Sequence, residues 1–147
     1  MARSSGLPAL VARVRAAWRQ YHSLGRRGER AAERYVRRLG YKIVARRDRG
    51  RLLGELDLVA VDVRTVVFIE VKTRRSHDAG HPAEAVGPEK QRQLTRLALA
   101  YLKRHDLLEY SARFDVLAVT WPETAKKPKI EHYKNAFEAV GRGQMFS

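Results

Sequence analysis

Apolar residues recur at helical spacing over residues 8–22, where Leu10, Val14, Ala17, Trp18 and Tyr21 share one face opposite Arg13 and Arg19. This pattern predicts a helical extension. After Gly25 it predicts a second helix from about Arg27 to Leu39, with Ala32, Tyr35, Val36 and Leu39 as its apolar stripe and Gly40 as its C-terminal stop. A strand YKIVARR follows, and then a basic loop from Arg46 to Arg51 that ends near Gly54. Two runs, LGELDLVAVD (53–62) and VVFIEVKTR (66–74), then read as a hairpin. Both of their faces are apolar away from the charged positions, as in a sheet covered on both sides. A loop from Arg75 to Pro88 leads to a helix that Pro88 opens, with Leu94, Leu97, Ala98, Tyr101 and Leu102 at helical spacing. The strand RFDVLAVTW, a TAKKPK loop, a short strand-like IEHY and a polar tail complete the chain. No internal repeat interrupts this order.

A length of 147 residues with 44% hydrophobic content suits a single core. The predicted organisation is a helical extension over 1–24 followed by one α/β domain over 25–147. Without any cysteine, thiolate ligands, thiol nucleophiles and disulfides are excluded, so a bound metal must be held by oxygen or imidazole. Leu7 to Trp18 is interrupted by Arg13 and Arg15 and is too short and too charged for a membrane span or a secretory core. A cytoplasmic protein without a membrane partner is expected, with a basic amphipathic reading of residues 7–24 as the minor alternative. The charge is more telling. Thirty Lys plus Arg against sixteen Asp plus Glu give a net charge of +14. Solubility alone needs a magnitude of about 2 to 8 in a small domain. The surplus points to nucleic acid.

Four charged residues sit inside the two apolar hairpin strands. Residues two apart in a strand share a face, so Glu55 goes with Asp57, and Glu70 with Lys72. A turn about Val63 and Arg64 would set Asp57 opposite Glu70 and Glu55 opposite Lys72, with Cβ atoms roughly 4.5 to 5.5 Å apart. Asp57 and Glu70 could then reach one cation, and Glu29, on or beside the sheet-facing stripe of its helix, could complete an acidic pocket. Glu29 also suits the helix dipole by its place in the first turn, and spacing does not separate the two roles. Two cross-strand salt bridges at a sheet edge are the structural alternative, but they account poorly for a lysine set between Val71 and Thr73, where desolvation is costly. Hard carboxylates without cysteine or a histidine cluster favour Mg²⁺ or Mn²⁺ over Zn²⁺.

Taken together, LGRRGERAAERYVRRLGYKIVARR, GELDLVA, VFIEVKTR, AVGPEKQRQL, RFDVLAV and IEHYKNAF resemble the YraN-like family of small bacterial proteins. That family is placed in the PD-(D/E)XK superfamily with restriction endonucleases and archaeal Holliday junction resolvases. The resemblance runs from about Gly25 to Phe137. It implies an α/β, restriction-endonuclease-like fold, a central mixed β-sheet flanked by α-helices. It aligns Glu29 with the helical acid, Asp57 with the strand acid, and Glu70 and Lys72 with the ExK pair. The implied catalytic set is Glu29, Asp57, Glu70 and Lys72, and the implied metal ligands are Asp57, Glu70 and Glu29. Leu56 stands where the superfamily motif has proline, and Asp48-Arg49-Gly50 where the family pattern has Asn, an aromatic and Arg.

The expected function is metal-dependent hydrolysis of DNA phosphodiester bonds in DNA processing or repair, with DNA ahead of RNA and a homodimer allowed. The alternative is a non-catalytic nucleic-acid-binding module on the same fold. Nucleic-acid contacts are expected from Arg46, Arg47, Arg49, Arg51, Arg74, Arg75, Lys90 and Gln91. His77 and His81 read as surface residues, Asp115 as an internal salt-bridge partner of Arg113, and Trp18 and Trp121 as packing residues.

Overall fold

A computed structural model describes residues 6–51, 54–76 and 86–140. The elements in chain order are α1 (Leu7–Arg38), β1 (Lys42–Asp48), β2 (Leu56–Asp62), β3 (Thr65–Arg74), α2 (Pro88–Arg104), β4 (Ala112–Thr120) and β5 (Lys129–Phe137). The five strands form one sheet in the order β1-β2-β3-β4-β5. β3 and β4 are parallel, and the other three pairings are antiparallel. Only the parallel pair needs a long crossover, and α2 supplies it.

Alternation along β3 explains the layering. Val66 and Phe68 pack with Leu94, Leu97, Ala98, Tyr101 and Leu102 of α2, while Val67, Ile69 and Val71 pack with Ala31, Ala32 and Val36 of α1. Each helix therefore covers one face of the sheet, the mixed α/β arrangement that the sequence led us to expect. The hairpin register also matches: Asp62 pairs with Thr65 and Leu58 with Ile69, about a turn at Val63 and Arg64 in which Val63 takes a positive φ of 56°.

Other expectations need correction. No break occurs at Gly25, because α1 is continuous from Leu7 to Arg38. A glycine inside a helix costs only about 1 kcal/mol, which the packing of the C-terminal half of α1 outweighs. Arg46 and Arg47 lie in β1 and not in a loop, since a bulge between Ile43 and Ala45 lets pairing run on to Asp48. The strand-like IEHY extends to a nine-residue β5. Trp121 is buried as expected, but Trp18 is 60% exposed because α1 overhangs the sheet there. The predicted loop positions His77 and His81 lie outside the described residues.

Candidate functional site

The candidate site forms where β2 and β3 part. Leu56 belongs to the α2-side core and Leu58 to the α1-side core, although residues two apart in a regular strand share a face. The alternation is broken at Asp57, between them. Its carboxylate takes a place in the ladder: the Val71 backbone N–H donates to Asp57 Oδ2 at 2.9 Å, just beyond the β2–β3 pair Leu58 with Ile69. This frees Asp57 to meet groups from both layers.

From the α1 side comes Glu29. The residue before it, Gly28, is buried, and a β-carbon there would fall 1.9 Å from Thr73 Oγ1. Glycine thus lets the helix backbone lie directly on β3 and carries Glu29 to the sheet end. Carboxylate oxygens of Glu29, Glu55 and Asp57 all lie within 4.8 Å of one another, close enough to share a metal ion. Glu55 was placed by its spacing on the face of Asp57 but not counted among the ligands; the i, i+2 relation was the signal for it. Gly54, at φ +98°, precedes it where a β-carbon would meet Gln93 Nε2 at 2.2 Å.

From the α2 side come the lysines. Glu70 is only 6% exposed, with Lys72 Nζ at 3.2 Å and Lys90 Nζ at 3.7 Å from its Oε1. Its other oxygen, Oε2, is buried without a hydrogen-bond partner among the described residues. Burial, and then the nearby Glu70 charge, push the Asp57 carboxyl up to about 8; the Val71 hydrogen bond opposes this only in part. Two ammonium groups flank Glu70, and Asp57 is the carboxyl that burial and the neighbouring Glu70 charge favour in its protonated form. Contact between the two carboxyls becomes a hydrogen bond only when one of them holds a proton. An orphaned buried oxygen, a carboxyl forced to stay protonated and two further carboxylates make a donor set that fits a hard divalent cation.

Two arginines close on the acids. Arg47 Nε contacts Glu29 Oε2 at 2.9 Å, and Arg49 Nε contacts Glu55 Oε2 at 3.0 Å, in place of the anticipated pairing of Glu55 with Lys72. Arg46 binds Glu33, whose carboxyl it holds below the usual range. Arg51 is exposed. Arg74 ends β3, and Arg75 donates to the Trp121 carbonyl at 3.1 Å. Gln91 spends its amide on the Val86 carbonyl at 2.9 Å, which ties the start of α2 to the preceding loop and not to the acids. Asp115 is fully buried on the α1 side, bonded to Arg113, His132 and the Asn135 amide, as an internal ion-pair partner should be.

A mixed sheet covered by a helix on each face, with a strand acid and an ExK pair side by side at one end, defines an α/β protein with a restriction-endonuclease-like core. The sequence profile of the uncharacterised protein family UPF0102 matches residues 28–119, and the chain belongs to that family, the YraN-like proteins. A UPF0102 protein of Rhodopirellula baltica is 49% identical over 121 residues, covering 80% of this chain and 72% of the relative. One from Geobacter sulfurreducens is 51% identical over 115 residues, covering 78% and 88%. A third, from Chlorobium phaeobacteroides, is 45% identical over 120 residues, covering 79% and 94%. No helix among the described residues is long and apolar enough to cross a membrane.

Proposed function

We propose that this protein is a divalent-metal-dependent nuclease that hydrolyses DNA phosphodiester bonds, with Mg²⁺ or Mn²⁺ as its cofactor. The observation that carries the reading is the contact of Asp57 with Glu70, whose Oε2 is buried without a hydrogen-bond partner among the described residues while Lys72 stands 3.2 Å from its Oε1. Burying two carboxyls together costs stability unless a cation compensates them. Asp57 and Glu70, with Glu29 and Glu55 beside them, would hold the ion. Bound there, it would supply positive charge at the scissile phosphate and a more acidic water.

The chain's own groups do the rest. Glu70 fixes the Lys72 ammonium, which donates to a non-bridging phosphate oxygen as negative charge develops there. The attacking water forms a new P–O bond and gives up a proton to bulk water, the bond to the leaving ester oxygen breaks, and that oxygen takes up a proton from bulk water. Arg49, whose side chain is 78% exposed, can turn from Glu55 to a flanking phosphate, and Arg47 can do the same from Glu29. Lys90 stands across Glu70 from α2, where it can meet the substrate backbone.

A second reading has its own support. With Arg47 on Glu29 and Arg49 on Glu55, two of the acids are already neutralised by protein, which suits a non-catalytic nucleic-acid-binding module. A cleavage panel of single-stranded, duplex, flap and four-way DNA with Mg²⁺ and Mn²⁺ separates the two. The nuclease reading expects cation-dependent cleavage that Asp57→Asn and Lys72→Ala both abolish while DNA binding persists. Absence of cleavage on every substrate, or cleavage that survives both substitutions, overturns it.

A further inference from the structure

The N-terminal half of α1 lies beyond the sheet, and nearly every residue from Gly6 to Gln20 is exposed. Its apolar stripe continues the one that packs on the core. Leu7 is 74% exposed, Leu10 56%, Val14 48% and Trp18 60%, and at 3.6 residues per turn these positions stack on roughly one line with Leu24, Gly28 and Ala32. The stripe that covers the sheet thus runs on for about three turns with no sheet beneath it. The opposite character of the remaining surface is equally plain. Between Leu7 and Gly28 the chain carries Arg13, Arg15, Arg19, Arg26 and Arg27 and no acidic residue. Arg13 precedes and Arg15 follows the stripe residue Val14 by one position, so they flank the stripe about 100° to either side. Trp18 lies in a groove with Arg15, Arg19, His22 and Arg26.

We infer that this overhanging half-helix is an interfacial segment that docks on an anionic lipid bilayer. An occupant must offer an apolar phase to the stripe and negative charge to the arginines. A second copy of the helix offers the first and brings arginine against arginine. Duplex DNA offers the second and leaves Leu7, Leu10 and Val14 in water. A bilayer with acidic headgroups offers both at the depths where they are needed, with the aliphatic stems of Arg13 and Arg15 lying along the apolar boundary and their guanidiniums at the phosphates. Trp18 suits the same boundary, since an indole has an apolar body and a polar N–H. The docked helix would hold the remainder of the chain at a membrane surface without itself crossing it.

The experiment is co-sedimentation of the full-length protein with vesicles of phosphatidylglycerol and phosphatidylcholine, against vesicles of phosphatidylcholine alone. It is followed in parallel by tryptophan emission, since Trp18 is exposed and Trp121 buried. We expect binding to the anionic vesicles with a blue shift, at least about tenfold weaker binding to the neutral ones, and a comparable loss for Leu10→Glu/Val14→Glu. Both substituted positions are exposed, so the melting temperature of the double variant checks that the fold is intact. The inference is overturned if wild type and variant bind anionic vesicles alike, or if neither binds. It is also overturned by a concentration-dependent dimer that the double variant abolishes in the absence of vesicle binding. A vesicle-independent loss of DNA affinity in that variant, again without vesicle binding, assigns the face to nucleic acid and likewise overturns it.

Discussion

Gly28 in α1 lies against Thr73 in β3 with no space between them. A β-carbon at the glycine would fall 1.9 Å from the threonine Oγ1, 2.7 Å from its Cγ2 and 2.8 Å from its Cβ. This contact sets the height of the helix above the sheet, and so the reach of Glu29. Gly28→Ala gains about 1 kcal/mol in helix propensity but must push α1 off β3, an overpacking that costs about 1–3 kcal/mol. We expect a net loss of stability in urea denaturation and weaker Mn²⁺ binding, because Glu29 moves with the helix. Adding Thr73→Ala removes the two nearest atoms and leaves the Cβ contact, so stability should recover only in part. No recovery from that second substitution would mean that the backbone, and not the side-chain contact, sets the spacing.

Asp57 makes a pH-dependent prediction. In the unfolded chain an aspartate ionises near about 3.9, and in the fold its carboxyl is pushed up to about 8. Between those values the native state holds a proton that the unfolded state has lost, so stability from this group is complete below the lower value and declines as pH rises through the upper one. Glu33 and Asp115 are held below the usual carboxylate range, act in the opposite sense and titrate below this window. Without divalent ions, the melting temperature should therefore fall from pH 5 to pH 8, and Asp57→Asn should flatten that fall. The amide keeps an acceptor for Val71 and offers a donor toward Glu70, so the variant should be the more stable protein at pH 8. An unchanged slope in the variant would remove Asp57 as its source.

Much of this site was readable because the hairpin has alternation on both strands and a short turn. With Val63 and Arg64 at the turn, the opposition of Asp57 and Glu70 follows by counting. What counting misses is the departure from regularity at Asp57, where Leu56 and Leu58 enter different core layers; periodicity describes regular strands and carries no sign of a local twist. The continuity of α1 was hidden for a related reason. Gly25 reads as a stop when each glycine is judged locally, whereas Gly28 three residues later serves the approach of the helix to Thr73. Arg46 and Arg47 read as loop because a basic pair has no apolar period, yet each finds a carboxylate on α1, Glu33 and Glu29, and the strand carries them there.

Glu55 should contribute to cation binding as much as Glu29 does, since their carboxylates and that of Asp57 share one 4.8 Å cluster. Isothermal titration with Mn²⁺ should show weaker binding for Glu55→Gln and for Glu29→Gln, by about tenfold each if each supplies one charged ligand, a difference of about 1.4 kcal/mol. Glu33→Gln is the control on the same helix, because its carboxylate is taken up by Arg46 and Arg37. Equal losses in all three would point to general field effects and not to ligation.

Nucleic-acid affinity should fall steeply with salt. Arg47, Arg49 and Lys90 contact the acids, and each phosphate neutralised on duplex DNA contributes a slope of about −0.9 in log affinity against log salt. Arg49→Gln should lower the slope by roughly one unit and weaken binding to all sequences alike, as expected for a phosphate contact. A titration that is flat between low and physiological salt would rule out phosphate contact by this cluster.

Asp115 should matter to folding and not to the site. It is fully buried and accepts from Arg113 Nε at 3.0 Å and the Asn135 amide at 2.9 Å, with His132 Nε2 at 2.8 Å from its other oxygen. Burial alone would push its carboxyl up, but the hydrogen bonds from His132, Arg113 and Asn135 together outweigh that and hold it below the usual range. Removing one partner of a buried pair costs about 3–5 kcal/mol when the other charge is left uncompensated. Here Arg113 keeps Asp62 at 3.1 Å and the Tyr41 hydroxyl at 2.8 Å, so the lower end applies, about 3 kcal/mol for Asp115→Asn. Asp115 faces the α1 side of the sheet and Glu70 the α2 side, so Mn²⁺ affinity should be unchanged in the folded fraction. Urea denaturation measures the first effect and Mn²⁺ titration the second. A variant with native stability and lost cation binding would mean that Asp115 belongs to the site.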